Sequence, residues 1–369
     1  MNCKRTISAF LALAAGLSMA ACTNAGQSAS SSSAASSAVS SAAVSNIEAA
    51  SSSSSASSAP QIKLTLAVSP DTSAPLLGGL YAARKQGYFA SYGLDVTITT
   101  AKSAAQAVDL ASAGTAQFTT TEQSTSFADA LIAKKDVTAV AALQQHNDAG
   151  VLSLTDKKIT RPKQLENTAC QTDGTPLAEA MLKEAVTADG GNAALVKTQI
   201  ASTSGTTAAV KGGALTCGSY SWSGLSCKES GVSASFLFYR DTAPVLDEYP
   251  CLLAANNTFL KQHPQTAKDF LSAANLGYLY AAAHPDITAK EVCAQVPAVK
   301  NQQALVQRSL TWLAGKYTDD AILWGSLDTQ RWNRFYTWMN QKKLSKSSVP
   351  LSTGFSSDYL PQPTSSAVS

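Results

Sequence analysis

The sequence predicts an α/β protein of two lobes, with a parallel-rich sheet in each lobe and a helical C-terminal part. Three observations carry this. Strand-like and helix-like patterns alternate from Ile62 to about residue 200, the grammar of parallel sheets. The patterned stretch from Ile62 to Leu360 is about 300 residues, more than one ordinary domain holds. After Tyr249 the apolar spacing becomes helical through Pro264–Ala283, Gln303–Lys316 and Thr329–Asn340, with few strands.

The chain opens with Lys4 and Arg5, an apolar run from Ile7 to Leu17, the small residues Ala20 and Ala21, and then Cys22. That run is shorter than the roughly 20 apolar residues a membrane span requires, and the order of features is that of an export signal. Ala20-Ala21-Cys22 resembles a lipobox, so residues 1–22 are expected to be a lipoprotein signal peptide with Cys22 as the lipidated residue. Residues 23–60 are almost wholly Ser and Ala, with Glu48 as the one charge. Such a segment buries too little apolar surface to offset its ordering entropy. A disordered tether is expected, with an average reach of roughly 35 Å; a glycosylated stalk is the alternative. Either places the body on the extracytoplasmic face of a cell membrane, held there by a lipid anchor.

Within the body, Ile62–Val68 reads as a strand ending in Ser69-Pro70-Asp71, and Leu76–Gln86 has helical spacing that stops at Gly87, a residue type that closes helices. Asp95–Thr99 is a second strand, Ala104–Ala113 a helix ending at Gly114, and Ala116–Thr119 a third strand. A helix through Phe127–Lys134 and the strand Val137–Ala142 complete a βαβαβ run. Ile159–Leu165 reads as a turn into a second unit: a strand near Thr168–Gln171, the break Asp173-Gly174-Thr175-Pro176, a helix Leu177–Val186 and a strand Lys197–Ile200.

Composition narrows function. Lys and Arg number 28 against 25 Asp and Glu, a net charge of +3, and no basic block follows Arg5, so no nucleic-acid partner is expected. Beyond Cys3 and Cys22 of the leader stand Cys170, Cys217, Cys227, Cys251 and Cys293, an odd number, so at least one free thiol is expected. With three histidines and no C-x-x-C spacing, neither a metal nor a redox cofactor is expected.

The stretch from Gly79-Leu80-Tyr81-Ala82-Ala83 through Gly87-Tyr88-Phe89 to Gly93-Leu94-Asp95-Val96 resembles the opening of substrate-binding lipoproteins that feed ABC importers for thiamine pyrimidine precursors and related small solutes. Ala141-Ala142-Leu143-Gln144-Gln145-His146-Asn147 followed by Gly150 resembles that family's third-strand loop, and Trp324-Gly325 with Asp328, Trp332, Phe335 and Trp338 its C-terminal helix. The resemblance implies a periplasmic-binding-protein fold of the second type, in which the chain crosses between lobes twice and clamps a solute in the cleft. It implies lobe 1 from residues 61–153 and 248–360, lobe 2 from 154–247, and a disordered tail over 361–369. It also implies a monomer that does no chemistry and delivers its solute to an ABC permease. Two departures stand out. In the pyrimidine binders the first-strand loop resembles Trp-x-Pro-Asn with a histidine beyond, where this chain has Ser69-Pro70-Asp71 and no histidine in that loop. The acidic residue such proteins often carry after the second-lobe tryptophan is also absent, since Ser223 follows Trp222. The cysteine-rich motif of a cytosolic pyrimidine synthase relative is not found.

Ligands of parallel sheets lie outside the carboxyl ends of the strands, where loops lead into helix N-termini. The candidate ligand-binding residues are therefore Ser69 and Asp71 after the first strand, Thr119 and Thr120 at the third, Gln145, His146 and Asn147 after the fourth, and Gly174, Thr175, Tyr220 and Trp222 from the second lobe. Gly174-Thr175-Pro176 also fits a plain turn and helix cap, Asp71 a cap, and His146 a surface loop. Trp222 has few apolar neighbours in sequence, which favours stacking on a ligand. Trp312, Trp324, Trp332 and Trp338 sit at core-like helical spacing and are expected to be structural. With Asp71 and Glu122 near the first-lobe loops, the pattern suits a neutral or cationic ring over a sulfonate or nitrate. Riboflavin-like solutes fit it as well. An exported hydrolase is the competing class: Ser221-Trp222-Ser223-Gly224 lacks the leading glycine of a nucleophile elbow. A structural adhesin is the third option.

Overall fold

The computed structural model describes residues 60–362, apart from residue 71 and residues 202–204. The expected signal peptide with Cys22, the Ser/Ala segment up to residue 59, Asp71 and residues 363–369 lie outside the described residues.

The first sheet is built by β1 (Ile62–Val68), β2 (Leu94–Thr100), β3 (Phe118–Thr121) and β4 (Val137–Ala142), joined by α1 (Gly78–Lys85) and α2 (Ala104–Ser112). Leu64, Leu66 and Val68 of β1 turn into the core, as the two-residue period of a strand requires. Gly87 sits at φ +78°, the left-handed conformation that lets the chain leave α1 sharply. Ser103 opens α2, its hydroxyl accepting a hydrogen bond from Gln106 N at 3.1 Å.

The chain then builds a second sheet from β5 (Ala149–Leu154), β6 (Ala169–Thr172), β7 (Lys197–Ile200), β8 (Leu215–Ser219) and β9 (Ala234–Phe238), with α3 (Pro176–Ala188) between β6 and β7. It returns to the first sheet with β10 (Leu252–Asn256). The sheet orders are β2-β1-β3-β10-β4 and β7-β6-β8-β5-β9. Place by place these are the same arrangement: a parallel trio, then one strand that has just crossed from the other sheet, then an edge. Both crossing strands run antiparallel, β10 to β3 and β4, and β5 to β8 and β9. Two sheets joined by two crossovers make a two-lobed α/β body, as the sequence implies.

The run after Tyr249 differs from its helical reading in one element. Leu252–Asn256 is an interior strand of the first sheet, between β3 and β4, and all five residues are buried. Four short apolar residues read as strand or helix equally well without their neighbours. Beyond it come α4 (Pro264–Ala283), α5 (Pro285–Gln295), α6 (Gln303–Leu313) and α7 (Thr329–Lys342). α4 packs on α1 so closely that a Cβ on Gly277 would stand 2.1 Å from Gly79 O. Beside it Tyr278 donates to Leu76 O at 2.6 Å. Trp324, Trp332 and Trp338 are buried as expected, although Trp324 lies in a turn before α7 and not on a helix. No described helix is long and apolar enough to cross a membrane.

Candidate functional site

The two crossovers run side by side. Asn147, in the segment from β4 to β5, donates its backbone N–H to Asp247 Oδ1 at 3.1 Å and its side-chain amide to Leu246 O at 2.9 Å. His146 Nδ1 lies 2.7 Å from Asp247 Oδ2, and its Nε2 lies 2.9 Å from Asp320 Oδ1. Gln145 N donates to Lys316 O at 3.0 Å and Gln145 Nε2 to Ser326 O at 3.1 Å. Arg331 of α7 closes the network: it donates to Gln145 O, lies 3.6 Å from Asp247 and 3.5 Å from Asp320, and rests 5.1 Å from the Tyr249 ring centre. The hydrogen bond to Asp247 holds the His146 imidazole above its ordinary pKa, against the opposing effect of burial. Gln145, His146 and Asn147 are thus gathered as a brace between the two crossovers and the C-terminal helices, with their side chains engaged by protein groups.

At the first-lobe strand ends the structure brings Ser69 and Thr120 together. Ser69 N donates to Thr120 Oγ1 at 3.0 Å, and the Thr72 and Thr120 hydroxyls lie 3.1 Å apart. Thr119 projects to the other face of its strand and donates to Ala67 O at 2.9 Å. Cys251 lies beside Thr72, and burial pushes its thiol far above the usual range. Just past β3 the chain makes a π-turn over Gln123–Phe127. β8, which holds the same place in the other sheet, is followed by a π-turn over Tyr220–Gly224. Such turns re-aim side chains and are frequent at functional sites.

The second π-turn divides the two aromatic candidates. Trp222 is half-buried and lines a cavity of about 220 Å³ with Gly205, Thr206, Thr207, Ser223 and Ser226. Tyr220 points away from it, into a ring cluster with Phe236 at 5.3 Å, Phe238 at 5.4 Å and Trp312 at 5.2 Å. There it lines a separate cavity of about 500 Å³ between the short helix Leu225–Glu229 and α6, where Arg308 Nε meets Glu229 Oε2 at 2.7 Å. Trp312 shares that wall and is only partly buried, so its role is not confined to the core. The turn itself is pinned to the first crossover: Asp148 Oδ2 accepts from Ser221 N at 2.7 Å and Asp148 O from Tyr220 N at 2.9 Å. Ser309 of α6 donates to Ser221 O at 2.6 Å. Burial raises the Asp148 carboxyl, and the Ser221 hydroxyl and N–H pull against that rise.

Gly174 and Thr175 line neither cavity. Gly174 takes φ +80°, and Thr175 caps α3 by accepting from Ala178 N at 3.2 Å. Asp148, Gln123, Ser124 and Glu248 are site-region residues that sequence reasoning passed over. Asp148 follows Asn147 directly, and the acid pair Asp247-Glu248 before Tyr249 was a visible signal.

Two sheets of matched order joined by two antiparallel crossing strands define the two-lobed periplasmic-binding-protein fold. Residues 74–288 match the family model described as NMT1/THI5 like, and the chain belongs to that family. Solved structures share the fold at low identity. The alkanesulfonate-binding protein SsuA from Xanthomonas axonopodis pv. citri, bound to MOPS, aligns at a TM-score of 0.56 and 13% identity over 80% of this chain and 99% of its own. The periplasmic nitrate-binding protein NrtA from Synechocystis PCC 6803 aligns at 0.55 and 14% over 78% and 83%. The desulfurization enzyme DSZB aligns at 0.56 and 12% over 80% and 97%. None of the curated proteins searched matches the sequence.

Proposed function

We propose that this protein is an extracytoplasmic solute-binding component of an ABC importer, which clamps a small neutral or cationic heteroaromatic solute of the thiamine-pyrimidine-precursor kind and does no chemistry on it. One observation carries the ligand class: Trp222 stands half-buried on a cavity of about 220 Å³ whose other walls, among the described residues, are Gly205, Thr206, Thr207, Ser223 and Ser226, hydroxyl-rich and without a charged side chain. A flat ring over a neutral hydroxyl-bearing pocket suits stacking with a few directed hydrogen bonds. The volume suits a single ring better than a flavin. In this reading Asp71 takes an amino group of the ring from the first lobe, lobe 1 comprises residues 61–153 and 248–360, and lobe 2 residues 154–247. Cys22 carries the lipid anchor, the protein works as a monomer, and a permease receives the solute.

Sulfonate and nitrate binders share the fold, and they are the second reading for the ligand. Among the described residues, the walls of the Trp222 cavity carry no cation to meet a sulfonate. An enzyme with this fold exists, but the thiol chemistry available here is suppressed. Burial drives Cys217 up to about 12 and Cys170 up to about 11, and a thiol that stays protonated is a poor nucleophile. Native mass spectrometry of protein purified from its own membrane fraction tests the reading. A co-purifying adduct with the mass of a small aminopyrimidine is expected, whereas a sulfonate adduct would favour the second reading.

A further inference from the structure

Two buried polar atoms, on neighbouring residues where β3 ends and the second crossover returns, have no hydrogen-bond partner. Glu248 belongs to the second crossover and is 6% exposed; Gln123 opens the π-turn after β3 and is 0% exposed. The Gln123 side chain is fixed by Tyr249 N, which donates to its Oε1 at 2.8 Å, and the Gln123 carbonyl accepts from Tyr336 OH at 3.0 Å. Its amide is therefore held against the 248–249 peptide. Ser124 lies against Glu248 itself. Yet Glu248 Oε2 and Gln123 Nε2 make no hydrogen bond, although both are sealed from solvent. Native proteins leave few such atoms unpaired, and each one calls for an explanation. An unpaired acceptor and an unpaired donor on residues linked through Tyr249 N, where strand β3 ends and the second crossover returns, are what a ligand edge would fill.

Resting on the solute-binding reading above, we propose that Glu248 and Gln123 form a donor–acceptor floor that takes the edge of the solute ring bearing a ring nitrogen next to an amino group, while Trp222 covers its face. The charged and titratable groups facing Glu248 are Glu122 beyond β3, Asp247 in its own crossover and Tyr336 on α7. Of these, Asp247 is itself paired with His146 and Arg331. Burial first, then the charges of Glu122 and Asp247, push Glu248 up to about 8, against the pull of Ser124. A neutral carboxylic acid offers O–H beside C=O, the complement of a ring nitrogen beside N–H.

The test is calorimetric titration of wild type, Glu248→Met, Glu248→Gln and Trp222→Ala with 4-amino-2-methylpyrimidine and with 2-methylpyrimidine, which lacks the amino group. Glu248→Met, similar in volume but unable to hydrogen-bond, should weaken the aminopyrimidine at least ten-fold and erase the preference for it over 2-methylpyrimidine. Its ligand-free melting temperature should fall only modestly, through loss of the Ser124 contact. Glu248→Gln, which keeps a donor beside an acceptor, should bind within about three-fold of wild type at pH 7. Wild-type affinity should fall as pH rises through 8 and that of Glu248→Gln should not. Undiminished binding by Glu248→Met, with loss in Trp222→Ala, overturns this inference and leaves the solute-binding reading standing. Failure of wild type to bind either pyrimidine overturns that reading and the inference with it.

Discussion

His146 Nδ1 and Asp247 Oδ2 lie 2.7 Å apart across 101 residues of sequence, and that contact joins the two crossovers of the fold. It belongs to a network in which Asp320, Arg331 and Gln145 hold the same loop from the C-terminal part. Because the folded pKa of His146 is raised, chiefly by its bond to Asp247, the stabilisation is fully present below the unfolded value of about 6.5. It is lost as pH climbs through the folded value. Replacing His146 by Gln should therefore lower the melting temperature most near pH 6 and progressively less toward pH 9. Thermal melts of both proteins across that range check it. A pH-independent difference would mean that the imidazole acts only by shape.

The contact of α4 with α1 depends on the absence of a side chain. A Cβ on Gly277 would sit 2.1 Å from the Gly79 carbonyl oxygen and 2.7 Å from Ala83 Cβ. Gly277→Ala should accordingly destabilise the protein by about 1–3 kcal/mol, the usual cost of overpacking. In denaturant titration this would be a lower midpoint at unchanged slope. An unchanged midpoint would contradict the helix packing described.

Cys170, Cys217, Cys227, Cys251 and Cys293 are all unpaired in the structure. Counting thiols with a colorimetric disulfide reagent in denaturant without reductant should give five per mature chain with its N-terminal cysteine blocked. The folded protein should react slowly, since four of the five are buried. Three or fewer thiols after denaturation would place a disulfide where the structure has none.

Anchoring is tested separately from binding. Cys22→Ala should move the mature protein from the membrane fraction to the medium or periplasm, because a diacyl group gives stable attachment where one chain does not. Membrane retention of the variant would contradict the lipoprotein reading.

Much of the architecture was legible because its signals are local. Val137–Ala142 and Lys197–Ile200 have the same bounds in sequence reading and in structure, since continuous β-branched or alternating runs between turn residues leave little ambiguity. β10 escaped because Leu252-Leu253-Ala254-Ala255 acquires its identity from β3 and β4, strands more than a hundred residues earlier. The candidate site was legible to the level of loops and no further. His146 stands in a strand-end loop, but the acids that occupy both its nitrogens lie 101 and 174 residues away. Tyr220 and Trp222 are two residues apart and look alike in sequence. Only the π-turn sends one into a ring cluster and the other onto a cavity wall.

The side chain of Trp222 carries the central claim, so its removal tests the account most directly. Calorimetry should compare wild type and Trp222→Ala, each titrated with 4-amino-2-methylpyrimidine and with an alkanesulfonate. Wild type is expected to bind the pyrimidine in preference to the sulfonate. Trp222→Ala should lose at least ten-fold, which at about 1.4 kcal/mol per decade is within the range of a base–aromatic stack. Trp222 also packs against the first-lobe core, so a modest fall in the ligand-free melting temperature should accompany that loss. Binding of the sulfonate alone, or wild-type affinity for the pyrimidine in Trp222→Ala, would contradict the account.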